Sequence, residues 1–353
     1  MSDLNELRAY AISQSLFPQT TLKAAIRRLG FIQADPIRAP ARAQDLILRH
    51  RVKTYRAGDL ERRYASLDIE EDVLYAYGFL PRAIWRLLHP RDVRGMSKLE
   101  KNVLEMVCKF GVMHPAELQE HFGSARVINA WGGYSKATTR ALEHLHYRGL
   151  LRIARRENGI RLYEPAQRNG DTLSPSERLR RLIIVIVNLL SPVSEKSLRV
   201  NTARFRRLGN TGPILMDLLK TGELESKTID GIKYLWLHST RIHQGPVRTV
   251  RFMAPFDPLV WDRRRFEHLW GWPYRFEAYT PRAKRLRGYY AMPLLWCDAV
   301  IGWANATVAG DGLNVEVGFV DKQPTDADFR SELECEIARL AAFLGTRGQT
   351  SRP

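Results

Sequence analysis

The stretch that decides the fold reads SKATTRALEHLHYRGLLRIARRENGIRLY and runs from Ser135 to Tyr163. Apolar residues recur at helical spacing in its first half, which predicts a helix that is capped by Ser135 and ends at Gly149. Two β-type runs follow, on either side of Asn158-Gly159. Because a type I′ turn needs positive φ at both central positions, Asn-Gly at this place predicts a β-hairpin.

Two further helices are predicted before this stretch. One runs from Ser97 to Phe110, and His114-Pro115 opens a second helix that ends at Phe122. Helix starts of this kind combine an N-cap residue with proline at the first helical position. Three helices followed by a hairpin are the element order of a winged helix.

The same order recurs further along the chain. Helices are predicted over Ser176–Leu190, Ser194–Val200 and Thr211–Lys220, followed by strands over Leu224–Thr228 and Ile232–Leu237 around Asp230-Gly231. This recurrence indicates an internal repeat of architecture. Two amphipathic helical patterns, Leu4–Phe17 and Thr20–Leu29, are consistent with a further divergent copy at the N-terminus.

The character of the sequence changes after about Pro246. Alternating runs at Tyr289–Leu295, Ala299–Ala304 and Leu313–Val320 predict strands, and Asp326–Leu344 predicts a closing helix. The predicted fold class is α+β, mainly helical, with tandem winged-helix units followed by a β-rich C-terminal domain. The predicted domains are residues 1–95, 96–170, 171–245 and 246–353.

The composition favours a polyanionic partner. Lys and Arg total 55 of 353 residues against 38 Asp and Glu, giving a formal net charge of +17, as expected of a protein that binds a phosphate backbone. The longest apolar run, Leu182–Leu190, is far shorter than the ~20 residues that cross a bilayer. Met1–Glu6 lacks the pattern of a secretory signal, so we expect a cytoplasmic, nucleoid-associated protein without a membrane partner. Three scattered cysteines and no HExxH motif argue against a metal site.

Basic side chains in two regions are candidate contacts to phosphates. On the third helix and the hairpin of the first winged-helix unit they are Lys136, Arg140, Arg148, Arg152, Arg155, Arg156 and Arg161. In the C-terminal region basic residues are interleaved with aromatic ones: the basic residues are Arg263, Arg264, Arg265, Arg275, Arg282, Lys284, Arg285 and Arg287, and the aromatic residues are Trp261, Trp270, Trp272, Tyr274, Tyr279, Tyr289 and Tyr290. The alternatives are a solvated charged face for the basic residues and a packed core for the aromatic ones.

A short polar pattern follows the helix end at Gly30. Residues 31–36 read FIQADP. In an extended chain, alternation places Gln33 and Asp35 on one face, where a carboxylate and an amide could hold a single water. Pro36 favours that geometry for the residue before it. The alternative is an ordinary helix start, with Asp35 as N-cap and Pro36 at the first helical position.

Three stretches carry a family resemblance. FIQADPIRAPARAQDLILRHR, Phe31–Arg51, resembles the segment with the glutamine–hydrophobic–aspartate motif in the AlkZ/YcaQ-like family of bacterial winged-helix DNA glycosylases. PFDPLVWDRRRFEHLWGWPYRFEAYTPRAKRLRGYYAMPLL, Pro255–Leu295, is similar to the C-terminal signature of that family. Trp131-Gly132-Gly133 with Lys136 is similar to its Gly/Trp-rich stretch before a winged helix.

The resemblance implies an enzyme for double-stranded DNA with alkylated or crosslinked bases, without metal or organic cofactor. The implied reaction is hydrolysis of the N-glycosidic bond of cationic alkylpurines, including crosslinked N7-guanine. Gln33 and Asp35 match the polar positions of the motif, Ala34 its apolar middle and Arg42 a nearby arginine; Arg38 and Arg42 are expected to contact DNA. Asp35 would stabilise an oxocarbenium-like sugar and activate a water that Gln33 orients.

No lysine nucleophile is implied, so we expect an abasic product without strand cleavage, formed by a monomer. The sequence departs from the family pattern at Leu74–Pro81, which lacks a His-Glu pair, and at Pro36, which directly follows Asp35. Both departures bear on the range of lesions.

Two other functions fit parts of the sequence. A non-enzymatic winged-helix regulator would prefer an operator sequence and would not depend on Asp35. A metal-dependent nuclease would use Asp257 and Asp262, although either residue is equally suited to a turn.

Overall fold

The computed structural model describes residues 3–91, 95–128, 132–167, 173–238 and 248–348. The chain forms two compact units. Unit 1 combines residues 1–60 with residues 175–353, and unit 2 comprises residues 61–174. Both units mix helices with antiparallel strands, and each unit is described separately below.

Unit 1 begins with helices whose ends carry the expected caps. Its first elements are α1 (Leu4–Ser15), α2 (Leu22–Leu29), β1 (Ile32–Gln33), α3 (Ala43–Leu48) and, at the junction with unit 2, α4 (Asp59–Arg62). The Asp3 side chain caps α1 and the Thr21 side chain caps α2. Gly30 ends α2 at a φ of 73°, a conformation that glycine adopts without steric cost.

Unit 2 contains the predicted order of three helices and a hairpin. Its elements are β2 (Ile69–Val73), β3 (Tyr77–Pro81), α5 (Arg82–Leu88), α6 (Lys98–Phe110), α7 (Pro115–Phe122), β4 (Arg126–Ile128), β5 (Tyr134–Lys136), α8 (Ala137–Tyr147), β6 (Leu151–Glu157) and β7 (Ile160–Pro165). Ser97 and Glu100 form a capping box at the start of α6. Asn158 and Gly159 have φ values of 49° and 83°, as a type I′ turn between β6 and β7 requires.

The start of α8 differs from the prediction. β4 pairs with β5 in an additional short hairpin between α7 and α8. Ser135 lies in β5, so its assignment as the helix cap is wrong. Lys136 holds the N-cap position, without a side-chain capping bond. Trp131 lies outside the described residues.

The second part of unit 1 repeats the helix and hairpin order and then continues into a larger sheet. Its elements are α9 (Pro175–Leu189), β8 (Val193–Ser194), α10 (Glu195–Thr202), α11 (Thr211–Lys220), β9 (Leu224–Ile229), β10 (Ile232–Leu237), β11 (Val250–Phe252), α12 (Pro258–Trp261), α13 (Arg263–Trp270), β12 (Met292–Trp296), β13 (Ala299–Ala309), β14 (Gly312–Phe319), α14 (Ala327–Leu344) and β15 (Arg347–Gly348). β8, β10 and β9 form one sheet, and β11 to β15 form another in chain order. Only the β14–β15 pairing in that second sheet is parallel.

One hydrophobic core joins distant parts of unit 1. Tyr10 of α1 belongs to the same cluster of buried residues as Trp236 of β10, Phe266 of α13 and Leu295 of β12. Burial of such large apolar side chains stabilises the unit, at roughly 25 cal/mol per Å² of apolar area. The N-terminal helix, the second hairpin and the C-terminal region therefore pack as one body, across the domain boundaries expected near residues 171 and 246. The four-part division stays a prediction.

Candidate active site

The segment that carries Asp35 is extended, and no helix begins at Pro36. The chain bends at Pro36, and Asp35 Oδ1 accepts a hydrogen bond from the backbone N–H of Ile37 at 2.9 Å. A side chain that bonds the backbone two residues ahead forms an Asx turn. The next helix, α3, starts only at Ala43. The alternative in which Asp35 caps a helix is therefore wrong.

Gln33 presents a buried oxygen to the same segment. Phe31 and Ile32 are both fully buried, whereas residues 33 to 35 are all half-buried, so burial along this segment does not follow the alternation of a strand. Gln33 Oε1 has no hydrogen-bond partner among the described residues, although it is inaccessible to solvent. A buried polar atom without a partner costs about 1–3 kcal/mol, so each such atom calls for an explanation, and a substrate or water partner is one.

Tyr290, from the C-terminal region, has a buried hydroxyl that lies in the electrostatic field of Asp35. Its side chain is 3% exposed, and its hydroxyl has no hydrogen-bond partner within the described ranges. Burial raises the pKa of Tyr290 well above its usual value, and the negative charge of Asp35 raises that pKa further. The phenol therefore stays protonated, so its O–H is available to donate a hydrogen bond.

The carboxyl group of Asp35 is electrostatically perturbed as well. Burial raises its pKa, and the hydrogen bond from the Ile37 N–H opposes that rise. A half-buried carboxylate with a raised pKa is a stronger base than an exposed one, a property that suits water activation.

Aromatic packing and one carboxylate fix Tyr290 in place. The ring lies edge-on to Phe276 at 5.2 Å, and Phe276 contacts Phe256 at 4.8 Å in the same geometry. Glu277, 5% exposed, accepts hydrogen bonds from the backbone N–H groups of residues 286 to 288 at 2.8–3.2 Å. These bonds outweigh burial and lower the pKa of Glu277. The loop that leads into Tyr290 is thus held by an ionised side chain.

Sequence reasoning did not connect Tyr290 with Asp35. The tyrosine is one of many aromatic residues in a basic stretch, and no pattern in the sequence links position 290 with position 35. Burial of a tyrosine hydroxyl without a partner is visible only in three dimensions. Trp270 and Trp272, by contrast, are 8% and 5% exposed and fill the core, which is the packed-core alternative for the aromatic residues of this region.

Most predicted wing arginines of unit 2 are held by acidic residues of β2. Arg156 forms a bidentate ion pair with Glu71, with Nε at 2.8 Å, and only 15% of its side chain is exposed. Arg152 bonds Glu70 at 2.8 Å, and Arg161 lies 3.6 Å from Glu71. These guanidinium groups stabilise buried carboxylates, so their assignment to a phosphate-gripping wing is not supported.

The remaining unit 2 candidates are more accessible. Arg155 forms only an exposed ion pair with Glu157, at 2.8 Å, and such pairs contribute little. Lys136 is exposed at the start of α8 and donates a hydrogen bond to Gln119. Arg140 is half-buried on the same helix.

The candidates of unit 1 divide in the same way. Arg263 donates to the carbonyl oxygens of Val260 and Pro255 at 3.1 and 3.0 Å, and burial lowers its pKa. Arg265 is 2% exposed and donates to three backbone carbonyls. Both serve the fold rather than a surface. Accessible positions are Arg38, Arg264 and Lys284, which are exposed, and Arg42 and Arg285, which are half-buried.

The residues proposed for a metal-dependent nuclease have structural roles. Asp257 is fully buried, accepts from Arg51 at 2.7 and 3.0 Å, and caps α12. Asp262 caps α13. Among the described residues, no group of three or more His, Cys, Asp or Glu side chains could hold a metal ion.

Comparison with known proteins identifies the class. A family model described as DNA glycosylase AlkZ-like matches residues 26–343. The protein is thus a DNA repair enzyme of the glycosylase class, and DNA is its partner. With most of its length matched, the chain belongs to the AlkZ-like DNA glycosylase family. Within the described ranges, no helix is long and apolar enough to cross a membrane.

A solved structure shares the fold. Streptomyces sahachiroi DNA glycosylase AlkZ is 17% identical over the full length of both chains, with a TM-score of 0.67. The enzyme class leaves the non-enzymatic regulator without support.

Proposed function

We propose that this glycosylase hydrolyses the N-glycosidic bond of cationic alkylated purines, N7-alkylguanine above all, and unhooks interstrand crosslinks. The reaction is monofunctional and leaves an abasic site. An N7-alkylguanine already carries a positive charge, so the leaving base needs no strong general acid. The enzyme has to stabilise an oxocarbenium-like sugar and deliver a water molecule.

Three side chains divide this work. The carboxylate of Asp35 stabilises the developing positive charge on the sugar and accepts a proton from the attacking water. Gln33 Oε1 accepts a hydrogen bond from the same water and orients it. The Tyr290 hydroxyl donates a hydrogen bond to the carboxylate or to the substrate oxygen beside it when DNA is bound.

The observation that carries the proposal is a pair of buried polar atoms without partners among the described residues. One is Gln33 Oε1, two residues before Asp35 in the chain, and the other is the Tyr290 hydroxyl, whose pKa the charge of Asp35 raises. Polar groups that a fold leaves unsatisfied and fixed are preorganised for substrate.

The accessible basic residues supply the DNA contacts of this proposal. Arg38, Arg264 and Lys284 of unit 1 and Lys136, Arg140 and Arg155 of unit 2 contact phosphates without reading sequence. Arg42 and Arg285 contribute from half-buried positions. We propose further that residues 96–170 and 171–245 are winged helices and that a monomer acts on duplex DNA.

Crosslinked DNA provides the test. A duplex with a nitrogen-mustard N7-guanine crosslink is incubated in chelator with the wild type, Asp35→Asn and the matched control Asp311→Asn, an exposed turn position. The proposal expects the wild type and the control to release the crosslink, and Asp35→Asn to bind the duplex without releasing it. Covalent trapping of protein on DNA by borohydride would contradict the monofunctional mechanism.

A further inference from the structure

A large cavity in unit 1 lies apart from the residues of the candidate active site. Its volume is about 1150 Å³, and its walls come from α1, α2, the loop after α3, β11 and α14. None of its lining residues is Gln33, Asp35 or Tyr290. Ligand cavities in proteins usually measure about 300–1,000 Å³, so this space admits a small organic molecule.

The charge of the cavity wall is strongly positive. The cations of the lining are Arg28, Arg49, Arg56, Arg251 and Arg339, whereas its carboxylate is Glu336. Glu336, 1% exposed, is already satisfied by Arg49, by Arg339 at 3.0 Å and by the backbone N–H of Phe252 at 2.8 Å. The one acid of the lining therefore forms its direct bonds with Arg49 and Arg339 and leaves the other arginines of the wall without a direct ion pair.

Three arginines around the cavity have no direct ion-pair partner among the described residues: Arg28, Arg56 and Arg251. Arg28 and Arg56 are exposed, whereas Arg251 is half-buried and lies in the field of Glu336 and Glu332. Burial lowers the pKa of Arg251 despite those acids, so its charge is partly desolvated. A partly desolvated guanidinium group gains more from an incoming anion than a solvated one does.

Apolar and aromatic groups line the same space. Phe17 carries the Arg28 guanidinium over its ring at 4.3 Å, and Tyr55 stacks on Phe343 with ring centres 6.3 Å apart. Ile12 of α1 and Leu16, the residue after that helix, add an aliphatic surface. A ligand that suits this wall has an anionic end and a planar or apolar end.

We propose that the cavity binds a small phosphorylated organic anion of the nucleotide class. Arg28 and Arg251 bind its phosphate, and the part of the wall around Phe17 and Tyr55 contacts its base. The planar guanidinium matches phosphate oxygens in a bidentate manner. Arg251 is half-buried on β11, a position that a small molecule can reach inside a concave space. The backbone of a duplex, a convex surface, contacts a rim instead.

Calorimetric titration of the full chain with adenosine 5′-monophosphate, inorganic phosphate and adenosine tests the proposal. We expect the nucleotide to bind more tightly than either part alone. The variants Arg251→Gln and Arg28→Gln should each weaken nucleotide binding about 10-fold or more. Arg28 is exposed, so its replacement should leave the fold intact. Arg330→Gln, an exposed arginine of α14 outside the cavity, is the matched control and should bind as the wild type does.

Two results would overturn the proposal. One is nucleotide binding that is absent, or unchanged in both cavity variants. The other is displacement of the nucleotide by a short undamaged duplex, together with weaker duplex binding in the Arg28 and Arg251 variants. The cavity would then belong to the DNA-binding surface. Base release is not measured in this experiment, so its outcome is independent of the proposed glycosylase mechanism.

Discussion

Replacing Tyr290 with phenylalanine should change stability and activity in opposite directions. The substitution removes only a hydroxyl that has no partner among the described residues and leaves the ring packed on Phe276. A buried unsatisfied hydroxyl costs about 1–3 kcal/mol, so its removal should raise the free energy of unfolding by up to that amount. If the hydroxyl bonds a charged group in the transition state, base release should slow about 10- to 150-fold.

The matched control is Tyr274→Phe in the same part of the fold. Its hydroxyl donates to the carbonyl oxygen of Ala291 at 2.6 Å, so removal leaves a buried acceptor without that bond. We expect Tyr274→Phe to lower the free energy of unfolding by about 1–3 kcal/mol and to leave single-turnover base release unchanged. Denaturant unfolding and single-turnover release of N7-methylguanine measure both quantities. A Tyr290→Phe protein that is destabilised and fully active would refute the reasoning.

Four further predictions concern charge. Because burial raises the pKa of Asp35, the rate of base release should fall as pH is lowered through a value above the ordinary 3.8; a pH–rate profile whose acid limb lies at or below that value would count against the ionised carboxylate. Because the pKa of Asp35 is raised in the folded state, the ionised carboxylate destabilises the fold at neutral pH. The variant Asp35→Asn lacks that charge and should therefore unfold at a higher denaturant concentration than the wild type. Equal or lower stability of the variant would argue that the Asp35 carboxylate is not buried. Asp257→Ala leaves the fully buried guanidinium of Arg51 without its carboxylate partner and should lower the free energy of unfolding by about 3–5 kcal/mol. A decrease below about 1 kcal/mol would show that the pair is not buried in solution. Arg264→Gln and Lys284→Gln should each weaken duplex binding and reduce the slope of log affinity against log salt by about 1, whereas unchanged slopes would remove these residues from the DNA surface.

Turn residues and helix-capping residues were sufficient to predict the two hairpin turns and the start of the helix after Ser97. The two hairpin turns, Asn158-Gly159 and Asp230-Gly231, have the positive φ values that their residues favour. The helix from Ser97 is confirmed because its capping box satisfies its own first turn. These signals lie within a few residues of the structure they predict.

Interactions between distant residues account for what the sequence did not show. Arg156 looked like a surface cation because its partner, Glu71, is 85 residues away in a strand of buried acids. Ser135 was expected to cap a helix, but cross-strand pairing with Val127 placed it in a strand. The Gln33–Asp35 pattern was visible from alternation alone, yet the choice between a helix start and an extended segment depended on the fold around Pro36.

The most direct test of the account is single-turnover release of N7-methylguanine from duplex DNA by the wild type and by Asp35→Asn, with duplex affinity measured alongside. A carboxylate that activates water and stabilises the sugar cation contributes about 10²–10⁴-fold, so the variant should release base at least 100-fold more slowly while binding DNA equally well. Equal rates of release by the two proteins would contradict the assignment of Asp35 as the catalytic residue.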